Sequence, residues 1–254
     1  SQTSHDDFSP RTARRTLDYV LREMPSTDSG FFSAQDAEVD GHEGQNYLWT
    51  PDEIRAAIAD KPDAEFAIDI YGLKDGPNFR DPHHPDAAAS NILFLADRPD
   101  KLAAAGGITP ADFLTRLDRV NAALYDARAK RKQPRLDDKV LLAWNGLMIG
   151  AMARVGLLLK EEKYIRAAAK AADFASAKMR DERGDLLRSY RASKASTPAF
   201  LEDFAFFIDG LLALHEAGAK TGWLAPSSAP HPEGARTLPG AQRVFEQAPG
   251  TASL

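Results

Sequence analysis

Three short acidic segments carry the residue types from which acid–base chemistry is built. Asp137 and Asp138 are followed by Lys139, Glu202 and Asp203 stand together, and Asp36 and Glu38 lie in the run AQDAEVDG at 34–41. A pair of carboxylates flanking a glycosidic bond hydrolyses it with retention when about 5.5 Å apart, or with inversion at about 6.5–9.5 Å. Asp36, Asp138 and Asp203 are therefore the candidate catalytic acids. Around them, Trp144 and Tyr190 can stack on a sugar ring, while Glu38, Lys139, Asn145, Arg191 and Glu202 can hydrogen-bond its hydroxyls.

Each candidate also has a plainer reading. Asp137 or Asp138 can cap a helix that starts beside them, where the free N–H groups and the helix dipole favour a carboxylate. Trp144 in an apolar segment fits a core. Asp36, Glu38, Asp40 and Gly41 follow part of a calcium-loop pattern, but Tyr47 holds the position that needs a bidentate glutamate, so a solvated acidic turn is expected. His83 and His84 stand in a Pro-rich loop without a further ligand at a suitable spacing and read as surface residues. Only His42 is near the acidic segments, and His215 lies at the far end of its helix. No metal and no cofactor are expected.

The elements that must position these residues are mostly helical. Apolar residues recur at helical spacing over 11–24, 110–130 and 162–180, with charged residues on the opposite face. Thr50, Pro51 and Glu53 spell a capping box for a short helix. Two further segments, 138–159 and 199–217, are apolar on nearly every side, which predicts buried helices. The stretch 61–108 is broken by Gly72, Gly76, Pro77, Pro82, Pro85 and Pro99 and reads as an irregular excursion. Residues 186–191 and the pieces near 30 and 47 look extended, giving short β-ribbons. The tail 224–254 is rich in Pro, Ser, Ala and Gly and is expected to be poorly ordered.

Composition narrows the partners. The 254 residues are 43% hydrophobic and 27% charged with net charge −5, a globular balance that offers nothing attractive to nucleic acid or anionic lipid. No cysteine is present, which removes disulfides, thiol catalysis and thiolate metal sites from this chain. No apolar run of bilayer-spanning length and no secretory leader are apparent, so a cytoplasmic protein without membrane or nucleic-acid partners is expected.

The helices alternate between half-exposed and apolar all round in the order 110–130, 138–159, 162–180 and 199–217. Concentric layers satisfy that alternation: inner helices touch neighbours on every side, and outer helices bury one face. The short link is LysGluGluLys at 160–163, between inner and outer. The chemically interesting residues fall on the longer outer-to-inner links, which places them on one rim. The expected architecture over 11–223 is mainly α, a partial α/α toroid with short β-ribbons in the rim loops.

Four motifs in order, GFFSAQDAE (30–38), NYLWTPDEI (46–54), DDKVLLAWNGLMI (137–149) and FLEDFAF (200–206), carry a resemblance. The chain resembles the family of spermatogenesis-associated, thioredoxin-domain-containing proteins and their bacterial relatives. That resemblance implies an α/α toroid similar to six-hairpin glycosidases and N-acylglucosamine 2-epimerases, here without the N-terminal thioredoxin-like domain. It also implies two functional readings. One is a carbohydrate-active hydrolase or isomerase working through the rim carboxylates on a sugar or other small polar ligand. The other is a non-catalytic scaffold or binding module that serves a thioredoxin-like domain.

Overall fold

A computed structural model describes residues 8–218. The order of elements is α1 (Phe8–Glu23), β1 (Ala34–Gln35), β2 (Glu38–Val39), β3 (His42–Glu43), β4 (Leu48–Trp49), α2 (Pro51–Ala57), α3 (Lys61–Ile70), β5 (Asn91–Ile92), α4 (Pro99–Ala105) and α5 (Pro110–Ala129). Then follow β6 (Leu136–Asp137), β7 (Val140–Leu141), α6 (Leu142–Leu159), α7 (Glu162–Lys178), β8 (Leu187–Arg191), β9 (Lys194–Pro198) and α8 (Leu201–Glu216). The protein is mainly α, as the periodicity predicts. The described residues divide into two compact units, one made of residues 8–34 with 137–218 and the other of residues 35–136. The expected tail, 224–254, lies outside the described residues.

In the first unit, α6 and α8 run side by side in the same direction. Ala143 near the start of α6 meets Asp203 near the start of α8, and Arg154 further along α6 pairs with Asp209 further along α8. The approach is close enough that only glycine fits. A Cβ on Gly146 would stand 2.5 Å from the carbonyl carbon of Phe206, and one on Gly210 would strike the Gly146 carbonyl oxygen. The helix α7 packs on α6, with Tyr164, Ala168, Ala171, Ala172 and Phe174 buried along one face. Its small residues let the α6 backbone come near, while Gly156 of α6 receives Ile165 of α7. Leu17 and Val20 of α1 and Phe31 complete this core.

The expectation that 138–159 and 199–217 are buried on all sides needs correction. Trp144, Leu147, Leu157 and Leu158 on α6, and Phe206, Ile208 and Leu212 on α8, remain exposed. By length and hydropathy alone α6 could cross a bilayer, yet half of it is buried in the first unit's core. Its apolar character serves packing on α7 and α8 and leaves one flank open among the described residues.

In the second unit, α2, α3 and α5 enclose Ile54, Ile68, Phe113, Leu117 and Val120. The capping box at Thr50 forms as expected, with Glu53 accepting from the Thr50 amide at 2.8 Å. The stretch 61–108 is more regular than its prolines suggest. Pro62 occupies the first turn of α3 behind the Asp60 cap, and Pro99 starts α4, positions where no backbone N–H is needed. Both prolines open helices instead of breaking them. The buried Asp63 then binds α3 to α5 by accepting from Arg116 at 2.7 Å and Arg119 at 2.5 Å.

Candidate functional site

The candidate site in the first unit is assembled where α6 and α8 begin. Two strand pairings set its frame: β7 runs antiparallel to β8 with Val140 opposite Tyr190 and Leu141 opposite Ser189, and β8 continues into β9. This ribbon carries Arg191 to Asp138 and Arg188 to Glu202 and Asp203 of α8.

Asp203 is fully buried, and its role is now specific. Its Oδ1 accepts the Ala143 amide of α6 at 3.2 Å, while Oδ2 accepts the Phe200 amide at 2.8 Å and Arg188 Nη1 at 3.0 Å. One carboxylate thus satisfies backbone donors at the starts of two parallel helices, where its charge also meets both dipoles. With both oxygens occupied by fixed donors, it positions α6 and α8 against each other. The cap expected from Asp137 or Asp138 is absent because α6 starts later, at Leu142, after the β7 pairing has taken up the intervening residues.

Asn145 and Tyr190 are likewise drawn into structure. Asn145, 1% exposed, accepts the Phe31 amide at 2.8 Å and donates to the carbonyls of Phe31 and Leu141, both at 3.0 Å. The side-chain amide pairs with a backbone segment as a strand would. Tyr190 stands edge-on to Phe174, and its hydroxyl donates to Asp28 at 3.1 Å. Burial, followed by Asp28, pushes its phenol above the ordinary range.

The remaining predicted residues face solvent. Asp138 pairs with Arg191 at 2.5 Å, and Glu202 pairs with Arg188 at 2.7 Å, the latter guanidinium lying 4.8 Å from the Phe200 ring centre. Lys139 is engaged by Asp137, whose carboxyl is lowered first by that lysine against the opposing effect of burial. Trp144 is 52% exposed although it sits in the first turn of the most apolar helix. Sequence reasoning named Trp144, Asp138, Arg191 and Glu202 for this surface, and missed Arg188 and Phe200. The signal for Arg188 was its place two residues before Tyr190 on an alternating strand.

Asp36 and Glu38 belong to the second unit. Asp36 Oδ1 accepts the Glu38 amide at 3.2 Å, and Glu38 and Val39 pair with Glu43 and His42 across a hairpin. Asp40 and Gly41 form its two-residue turn with φ of 54° and 78°, the left-handed pair that Asp-Gly supplies. The acidic run is therefore a tight hairpin and not a calcium loop.

That hairpin delivers His42 to Asp81 and His84. Asp81 Oδ2 is 3.3 Å from His42 Nδ1 and 3.0 Å from His84 Nδ1, and the two imidazoles lie with ring centres 4.1 Å apart and planes tilted by 37°. Burial tends to raise the Asp81 carboxyl, but the His83 amide and the His84 and His42 rings outweigh it and hold the group down to about 2. His84 remains at the surface, as its loop suggests, yet it is not solitary. The distance in sequence between His42 and this loop hid the cluster.

Comparison with known proteins agrees with the four motifs. No family model matches the chain. Spermatogenesis-associated protein 20 of Homo sapiens is 31% identical, over 88% of this chain and 32% of its own length. The Rattus norvegicus protein of the same name is 32% identical, over 88% of this chain and 31% of its own length. An uncharacterised protein of Caenorhabditis elegans is 27% identical over 80% of this chain. The chain spans about a third of the length of these relatives, and their similarity supports kinship with the spermatogenesis-associated proteins.

Proposed function

We propose that this chain is a toroid-forming portion of a protein of the spermatogenesis-associated, thioredoxin-domain-containing family, and that the α6 and α8 starts bind a polyhydroxylated, sugar-like ligand. The parallel direction of α6 and α8, with α7 between them in sequence, supports a ring of helical hairpins. The open apolar flanks of α6 and α8 are what inner helices of such a ring would offer to their next neighbours. A thioredoxin-like domain is the partner that this reading supplies.

The observation that carries the ligand reading is the exposed Trp144 at a helix end shared with two carboxylate–guanidinium pairs, Asp138 with Arg191 and Glu202 with Arg188. An aromatic face takes the C–H side of a sugar, and the fixed charged pairs offer both donors and acceptors to its hydroxyls. Recognition is favoured over proton transfer. The buried Asp203 is saturated by two amides and an arginine, and each exposed acid already holds a guanidinium.

The test is a titration of neutral mono- and disaccharides and their N-acetylated forms, followed by ligand-observed NMR and by Trp144 fluorescence. Binding is expected for at least one sugar and is lost in Trp144→Ala and weakened in Asp138→Asn. If no sugar binds, or if Trp144→Ala binds as the parent does, the reading fails. Turnover of a bound sugar that disappears in Asp138→Asn would replace recognition by catalysis at the same surface.

A further inference from the structure

We propose that His42, Asp81 and His84 form a site for one divalent transition-metal ion of the zinc class, held by an imidazole nitrogen from each histidine and a carboxylate oxygen. The site lies wholly within the second unit and is independent of the sugar-binding reading of the first.

The geometry comes from two rigid turns. The Asp40–Gly41 turn, anchored by the buried Val39, fixes the residue that follows it, His42. On the other side, Asp81 folds its own loop: Oδ1 accepts the His83 amide at 2.8 Å, and its main-chain carbonyl accepts the His84 amide at 3.3 Å. Phe79 and Ser90 close that loop by pairing across it. The Glu43 amide donates to Asp81 Oδ2 at 3.3 Å, which ties hairpin to loop at the carboxylate. The Asp81 side chain is only 7% exposed, so its direction is set by these bonds.

The spacing is that of ligands gathered on one small ion. Ligands about 2.0–2.1 Å from a tetrahedral ion stand about 3.3 Å from one another. The three donor atoms here lie within 4.8 Å of one another, and each Nδ1 is already 3.0–3.3 Å from Asp81 Oδ2. Two imidazole nitrogens from separate turns converge on the same carboxylate oxygen. A metal ion accepts a lone pair from each nitrogen and from the carboxylate oxygen at once. Two imidazoles and one carboxylate select zinc or its first-row neighbours over magnesium and calcium, which prefer oxygen alone. The half-exposed histidines leave the outer side for water, and the amide bonds to Asp81 supply the outer-shell support that such sites use.

The experiment uses the whole chain stripped of metal with chelator and titrated with zinc chloride at pH 7.5. Binding is read by calorimetry, and by the visible spectrum when cobalt is the probe. One ion per chain is expected, with cobalt giving the intense bands of a low-coordinate site. His42→Ala and His84→Ala should each weaken binding by more than the ~10–100-fold that loss of an outer-shell partner costs. His83→Ala, which removes the neighbouring ring, should bind as the parent does. Circular dichroism confirms that the variants are folded, and zinc should raise the melting temperature of the parent and of His83→Ala alone. Sub-stoichiometric uptake, or uptake undiminished in the folded His42→Ala/His84→Ala double variant, overturns the proposal. Equal loss in His83→Ala and His84→Ala overturns it too, since only one of those rings faces Asp81.

Discussion

Each unit buries an aspartate at the same place, the third residue of a helix, and uses it differently. Asp203 in α8 receives the amides of Ala143 and Phe200 together with one arginine, whereas Asp63 in α3 receives two arginine side chains, Arg116 and Arg119. Backbone donors cannot retreat, so Asp203 fixes the offset between α6 and α8, and that offset is what brings Gly146 against Gly210. Arginine side chains can adjust, so Asp63 joins α3 to α5 while the facing surfaces are filled by large residues such as Phe66 and Phe113, which meet edge to face. The first unit is close-packed through its backbone. The second is held by long side chains, including Arg131, which lies 3.9 Å over Trp49 and donates to the Leu48 carbonyl at 2.6 Å.

The contrast breaks most readily at the glycines. In Gly146→Ala the new methyl meets main-chain atoms of Phe206, which move only if α8 moves with them. A loss of about 3 kcal/mol is expected, at the upper end of the range for overpacking, read as a lower urea midpoint by circular dichroism. The second unit offers the control. Gly106 has φ of −82°, and a Cβ there would come no nearer than 3.4 Å to its neighbours, so Gly106→Ala should be close to neutral. Equal losses at Gly146 and Gly106 would remove the claim that the units are packed on different principles.

Acid separates the two units next. Arg119 first, and Arg116 after the opposing effect of burial, hold the Asp63 carboxyl below its ordinary 3.8. A group with a lowered folded pKa contributes stability that is complete above the unfolded value and is lost as the pH falls through the folded one. The second unit, followed by the buried Trp49, should therefore weaken progressively below about pH 4. In Asp63→Asn the unit should lose about 2 kcal/mol at pH 7, the scale of hydrogen bonds to charged groups, and its remaining stability should depend less on pH in that window. An unchanged acid midpoint in Asp63→Asn would show that the arginine clamp is not what acid undoes.

Much of this contrast was legible locally and little of it at long range. The spacing of Leu17, Val20 and Leu21, of Phe113, Leu117 and Leu124, and of Tyr164, Ala168 and Ala171 placed α1, α5 and α7, because a helix buries one face at a fixed period. Thr50 and Glu53 announced a helix start because both partners lie within one turn. Pro99 misled, since the same residue breaks a helix interior and suits its first turn. Of the candidate site, the acidic pair of α8 and the exposed Trp144 were marked by type. What Asp203 binds was not, because the amide it caps belongs to another helix. The hairpin and loop that bring His42 to Asp81 hid that cluster in the same way. Residue type reveals what a side chain can do, and only the fold decides whether solvent or a neighbour claims it.

The smallest predicted effect on stability is the one that separates surface from scaffold inside the first unit. Asp138 and Arg191 form an ion pair at 2.5 Å with side chains 47% and 61% exposed. Exposed pairs contribute about 0–1 kcal/mol, because water screens them and ordering two side chains costs entropy. Asp138→Asn should therefore leave the urea midpoint within about 0.5 kcal/mol of the parent while weakening sugar binding. The stability readout holds whether or not a sugar binds. A large loss of stability would assign Asp138 to the same structural role as Asp203.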